Sequence, residues 1–356
     1  MNKVLVVATS HKTRGGITSV IKAYQSTFAW KEYHCKWIET HRDGSILIKL
    51  GYFLHSFIQF LFLLPFYDII HIHVGEPPSA IRKCFFMIFI KLFRKQSIVH
   101  FHSFSPETTI RSQWGWVYDY LFGRASRIIA LSPYWKREII NAFPKTKESK
   151  ISIIYNPCIS EQYHDTFEKK NIILFAGSVI PRKGYKDLIT AFANIYDQHN
   201  DWKLVIAGNG ETDKAESIAR ELGIAKSVIF PGWVRGKDKD RLFKEARIFC
   251  LPSYAEGFPM AVLDAWAYGI PVISTPVGGL PDIVKEGHNA LLFPVGDIKS
   301  LSEKLSHLMD DSKLQEQLSH EGLTLARTIF DINTTASHLD HIYSDLTKTS
   351  KDKRST

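Results

Sequence analysis

The sequence is poor in cysteine. Its 356 residues carry four, Cys35, Cys84, Cys158 and Cys250, scattered and without a C-x-x-C pair. That excludes a disulfide framework and a cysteine-based zinc site, and it fits a reducing compartment. No secretory leader is expected, because Val4 to Ala8 is too short for its apolar segment and reads as a first buried strand. Acidic residues are scarce in the first part of the chain. Residues 1–165 hold 21 Lys+Arg against 11 Asp+Glu, a net charge of +10, whereas the remainder holds 24 against 25, a net of −1. A basic half beside a neutral half implies an anionic partner for the first half. Nucleic acid is not the expected one: no recognisable binding motif occurs, and the basic residues are interleaved with long apolar runs. An anionic membrane surface fits that mixture better.

What is present is enough for two ordinary domains, each with its own core. The expected division is 1–165 and 170–333, with polar Glu161 to Lys170 as linker and a last helix, about 334–346, crossing back onto the first domain. Alternating strands and helices run through both halves. The most informative stretch is Ser253 to Val272, SYAEGFPMAVLDAWAYGIPV. An apolar run ending at Leu251-Pro252 leads into a short loop. A helix follows over Met260 to Tyr268, stopped by Gly269 with Pro271 soon after. Ligands of open α/β sheets bind past the carboxyl ends of strands. The unpaired N–H groups and positive dipole end of the helix suit a phosphate. Glu256 in the loop would then serve hydroxyl groups, and a nucleotide-sugar has both parts.

Three other strand ends in this half carry turn-rich loops: Gly177 to Gly184, Gly208 to Glu211, and Thr275 to Asp282 with its Gly278-Gly279 pair. In the first half, Lys3 to Thr9 is a strand. Gly15-Gly16 then opens a helix over about Ile17 to Phe28, and two glycines there let backbone approach a ligand closely. Leu50 to Tyr67 has no acidic or basic residue and reads as a buried or membrane-surface helix. Arg82 to Lys95, RKCFFMIFIKLFRK, sets phenylalanines between basic ends, which suits a membrane interface or a core helix with solvated ends. The pairs His71/His73 and His100/His102 each lie on one face near a strand end, so four imidazoles would meet at a crevice. Histidine is the commonest metal ligand, yet no carboxylate or cysteine sits at ligand spacing beside either pair. Packing or polar-cleft roles are therefore expected, and no metal.

Glu256-Gly257-Phe258-Pro259 followed by Asp264 resembles the E-x7-E signature of the retaining glycosyltransferases of family 4. The resemblance covers nearly the whole chain and is clearest from 171 to 297. It implies an α/β GT-B fold, two Rossmann-like domains with parallel sheets facing one another across a cleft. Glu256 is implied to bind donor-sugar hydroxyls and Asp264 the nucleotide ribose, although Asp is one methylene shorter than the usual Glu. Gly257, Phe258, Pro259, Met260 and Ala261 supply the donor-binding loop and first helical turn. Gly177, Ser178, Gly210 and Val234 are implied to line the nucleotide, and Gly15 and Gly16 to lie against the diphosphate. Lys183 matches the family's phosphate-gripping lysine. The family's arginine is Ser178 here, with Arg182 the candidate substitute. His102 is implied to hydrogen-bond the transferred sugar.

The implied activity is transfer from a nucleoside-diphosphate-sugar, with retention, to a lipid-linked saccharide in bacterial surface-polysaccharide assembly. No metal or other cofactor is needed, and the place is cytoplasmic, peripheral on the inner membrane face. Two alternatives stand beside it: a nucleotide-sugar epimerase or hydrolase on the same fold, and a non-catalytic subunit of a polysaccharide assembly complex.

Overall fold

The computed structural model describes residues 2–13, 15–42, 44–159 and 168–352, with side chains through 348. The chain divides into two compact units. One comprises residues 1–157 and 332–356, the other the continuous segment 158–331. Most of the linker expected at 161–170 lies outside the described residues. Lys170, at its end, already begins a strand.

The first unit is a six-stranded sheet of β1 (Val4–Ala8), β2 (Lys36–Glu39), β3 (Ile69–Val74), β4 (Gln96–Phe101), β5 (Arg127–Ala130) and β6 (Ile151–Ile153). Every pairing is parallel, in the order β2-β1-β3-β4-β5-β6. β1 and β3 are buried along their whole length. That is why β1 reads as a continuous apolar run, and β3 as one broken only by His71 and His73.

The second unit holds β7 (Lys170–Ala176), β8 (Lys203–Ala207), β9 (Val228–Ile229), β10 (Ala246–Leu251), β11 (Val272–Ser274) and β12 (Leu291–Leu292). It is also parallel, in the order β12-β11-β10-β7-β8-β9. This is the dinucleotide-fold order, with its reversal between β7 and β10.

Several expected elements differ in detail. The helix read over Ile17 to Phe28 is two helices, Gly16–Gln25 and Phe28–Glu32. Ser26 and Thr27 hydroxyls donate to the carbonyls of Ala23 and Tyr24 at 2.8 and 2.7 Å and end the first. Thr27 then caps the second, accepting from Trp30 N. The apolar stretch at 50–67 is a helix over Ile46–Leu63, N-capped by Ser45 and burying only Ser56 and Phe60. It is therefore not a core helix. The loop expected over Thr275 to Asp282 ends in a single 3-10 turn, Leu280–Asp282. The last helix, expected at about 334–346, runs from Ile332 to Asp352.

That last helix completes the first core. Ala336, Leu339 and Tyr343 are buried, and Tyr343 meets Tyr33 edge-on at 5.0 Å between ring centroids.

Close approach of loops in the second unit rests on glycine. Gly184 has φ +70°, and a Cβ there would fall 1.9 Å from the Pro252 carbonyl oxygen. Gly223 has a similar φ, +75°, but nothing within 4 Å of such a Cβ. Gly223→Ala should therefore cost only the left-handed penalty, about 1–2 kcal/mol. Gly184→Ala adds overpacking against backbone, for a total of about 2–5 kcal/mol. Urea denaturation of the two variants checks this, and equal losses would refute the close-approach argument.

Candidate active site

At the order reversal β7 and β10 lie side by side, with Leu174 opposite Phe249. Each is followed by a loop at its carboxyl end, and the two loops are tied together. Tyr254 N donates to the Arg182 carbonyl at 2.7 Å, and Arg182 Nη1 donates to the Ala255 carbonyl at 2.5 Å. Pro181–Lys183 is a tight 3-10 turn ended by left-handed Gly184, which aims both cations at the second loop.

Glu256 is 6% exposed. A carboxylate so placed needs partners, and it has them. Lys183 Nζ donates to Oε1, Ser253 Oγ donates to the same oxygen at 2.6 Å, and Arg182 Nη1 lies 3.8 Å from Oε2. Ser253 carries no sequence signal, and only the structure shows it orienting the acid. From the other side the loop after β11 closes on this backbone. Gly279 N donates to the Gly257 carbonyl at 2.9 Å, and a Cβ on Gly278 (φ +60°) would meet the Glu256 carbonyl oxygen at 1.9 Å. Phe258 packs on Phe330 with ring centroids 5.3 Å apart.

Gly257, Phe258 and Pro259 are buried, and Met260 and Ala261 are half-exposed in the first turn of the helix Met260–Ala267. No side chain caps that terminus. The first N–H groups of a helix have no partner within it, so those of Met260 and Ala261 are available to an anion. Asp264, one turn further on, pairs with Lys239 Nζ at 2.7 Å. Lys239 comes from the mostly charged helix Lys237–Glu245, KDKDRLFKE.

Beside β7 and β8, Val179 and Gly210 form a parallel bridge. Gly210 is needed there, because a Cβ would sit 2.2 Å from the Val179 carbonyl oxygen. Gly177 is half-exposed and Ser178 exposed, and Tyr185 donates to Glu211 at 2.7 Å. Val234 is half-buried in the loop after β9, where Gly232 lies near Asn209.

The remaining sequence candidates belong to the first unit. Gly15 and Gly16 are exposed at the start of the helix after β1, with Gly15 at φ +156°. His102 follows β4, its N–H bonded to the Val74 carbonyl at 2.7 Å. The four histidines do come together. His73 stands opposite His100 in the sheet, and His73 Nδ1 lies 2.9 Å from His102 Nε2. His71 Nδ1 lies 2.7 Å from the Tyr343 hydroxyl. Burial pushes all four imidazoles down, His71 and His102 to about 3, so they are neutral at pH 7. Lys83, read from sequence as one of the basic ends of a membrane-interface helix or of a core helix with solvated ends, is buried instead. Its amine donates to Thr40 Oγ1, and burial holds its pKa well below the usual lysine value.

Two family models match the chain, "Glycosyltransferase Family 4" over residues 36–161 and "Glycosyl transferases group 1" over 160–324. Among curated relatives, an uncharacterized glycosyltransferase of Methanocaldococcus jannaschii is 31% identical over 208 residues, 54% of this chain and 53% of that one. The capsular polysaccharide biosynthesis glycosyltransferase CapM of Staphylococcus aureus is 26% identical over 244 residues, 64% of each chain. The chain thus spans between about half and two thirds of the length of these relatives. Among solved structures, Anabaena HepE in complex with UDP-glucose superposes with a TM-score of 0.79 at 18% identity, covering 96% of this chain and 99% of that one. Two parallel six-stranded units of this kind define the GT-B architecture. The chain belongs to glycosyltransferase family 4.

The Lys183–Glu256 pair makes a direct prediction. Lys183→Met leaves a buried carboxylate without its ammonium and should cost about 3–5 kcal/mol. Glu256→Gln in the same chain should restore most of that loss, since the uncompensated charge is gone. A double-mutant cycle by urea denaturation reads the coupling, and additive losses would show that the two side chains do not depend on one another.

Proposed function

We propose that the protein is a retaining glycosyltransferase, moving a sugar from a nucleoside-diphosphate-sugar to a lipid-linked saccharide in surface-polysaccharide assembly. The carrying observation is Glu256, fixed in a buried loop beside an uncapped helix N-terminus and two cations. Oε1 is occupied by Lys183 and Ser253, so Oε2, with Arg182 Nη1 3.8 Å away, would be the oxygen that accepts from sugar hydroxyls. The N–H groups of Met260 and Ala261, with Arg182 and Lys183, would take the diphosphate as negative charge grows on it during departure. These charges are preorganised by the fold, so the reading needs no metal. Asp264 would hold the ribose by exchanging its bond to Lys239. The first unit would present the acceptor, with Gly15, Gly16 and the neutral His102 at the carboxyl ends of its strands. HepE was solved with UDP-glucose, which makes UDP-sugars the first donors to try. CapM, by its name, serves capsular polysaccharide biosynthesis, which supports the acceptor class.

The lipid part of the reading rests on the helix Ile46–Leu63. With the following turn to Phe66 it is long and apolar enough to cross a membrane, by length and composition. Ile46, Leu47 and Phe62 are 82%, 80% and 74% exposed. Yet the segment leaves β2 and returns to β3 of the same sheet, so both its ends are held on one body. Its inner side zips onto the helix Pro77–Leu92 through Phe57 and Phe60 against Phe86, centroids 5.4 and 4.8 Å apart. Phe85, Ile88 and Leu92 of that helix are exposed too. An apolar face this large with Lys49, Lys91 and Arg94 around it suits lying in an anionic interface. The protein would then be peripheral on the inner face of the cytoplasmic membrane.

Two measurements test these parts separately. Nucleotide release from UDP-, GDP- and ADP-sugars is measured with and without a lipid-diphosphate saccharide. Release from one donor that requires acceptor, reduced roughly 100-fold or more in Glu256→Gln, is expected. Turnover indifferent to acceptor would make the protein an epimerase or hydrolase, and no donor binding would make it a non-catalytic subunit. In flotation with anionic vesicles the chain should rise with the lipid. Leu47→Ser with Phe62→Ser should weaken that by on the order of 30-fold. A wild type that stays behind ends the membrane reading.

A further inference from the structure

The imidazole cluster of the first unit has a property that sugar transfer does not use. One ring nitrogen from each of His71, His73 and His100 lies within 4.8 Å of those of the other two, and all three side chains are buried. Among the described residues, His71 Nε2 and both nitrogens of His100 have no hydrogen-bond partner. A buried polar atom without a partner is costly, and here three of them belong to one small volume.

We propose that His71, His73 and His100 form a three-histidine site for a borderline divalent transition ion, Zn2+ in the first place, that braces the first unit. The outer contacts are those of a ligand set. With its Nδ1–H donated to Tyr343, His71 keeps the Nε2 lone pair, and with its Nδ1–H donated to His102, His73 keeps its own Nε2. Metal-bound histidines are oriented in this way by the bond their other nitrogen makes. Neutral imidazoles without carboxylate select zinc, cobalt, nickel or copper over magnesium and calcium, which prefer oxygen.

The rings now lie nearly parallel, with 11–32° between planes. They must turn about their soft second torsion to bring the nitrogens to about 3.3 Å, the spacing set by Zn–N bonds near 2.05 Å. The ring of His102, 4.2 Å from that of His100 by centroid, stands beside the fourth position. Burial makes this a structural site rather than one that feeds the transfer chemistry.

The test uses the full chain without a polyhistidine tag, expressed in zinc-supplemented medium. Mass spectrometry should find one zinc per chain, and chelation should lower the thermal midpoint by several degrees, restored by ZnCl2. His100→Phe fills the space without ligating, and should carry no zinc and show no response to chelator. Should that variant not fold, Co2+ loaded into the wild type gives an independent reading. Intense visible bands of tetrahedral nitrogen ligation support the site, and weak octahedral bands overturn it. Wild-type protein free of zinc and indifferent to ZnCl2, or equal zinc in His100→Phe, would also overturn it.

Discussion

The second unit is organised around one ion pair, Lys183 with Glu256. A carboxylate this buried is not tolerated alone, so the loop that carries it has to stay within reach of the loop after β7. Much of the local geometry follows. Gly184 must be glycine for the first loop to come under Pro252, and Gly278 for the third loop to lie on the Glu256 carbonyl. Ser253, itself held through its carbonyl by Thr275 Oγ1 at 2.5 Å, fixes the acid's rotamer. Three strand ends are thereby locked into one rigid cradle before any donor arrives. Preorganisation of that kind is what electrostatic catalysis requires.

The first unit shows the opposite arrangement of charge and greasiness. Its long apolar helix is not inside. Aromatic rings on one side join it to its neighbour, and the other side is left to solvent. Its polar interior is a stack of imidazoles, held neutral by burial, and a lysine whose pKa burial pulls well below its usual value. The sequence left the helix open between buried and membrane-surface, and only the structure shows Lys83 inside, where lysine is rarely found.

Much of the fold was legible because buried parallel strands announce themselves. KVLVVAT and the run before Pro252 each became a strand within a residue or so of the expected bounds. Glu256 and its helix were equally readable, since a strand, an acid-bearing loop and a capped stop occur together. What escaped was whatever depends on partners distant in sequence. β2 is a four-residue edge strand with a single buried residue, and the helices Thr212–Glu221 and Lys237–Glu245 are mostly polar. Ser253 and Lys239 look like any loop serine or surface lysine. Lys83 sits in a segment whose basic ends hid that one of them points inward.

The last helix gives the chain an unusual order of assembly. Residues 332–352 supply Tyr343 and its neighbours to a core whose other members precede residue 158. During synthesis the first unit therefore waits, with β1 to β6 made but its closing piece still to come. The second unit, a continuous segment, can finish first. Domains usually mature from the amino end as they emerge. Here the second unit would be born complete, and the first, with its exposed phenylalanines and unclosed histidine row, would depend on the last helix to end its vulnerable interval.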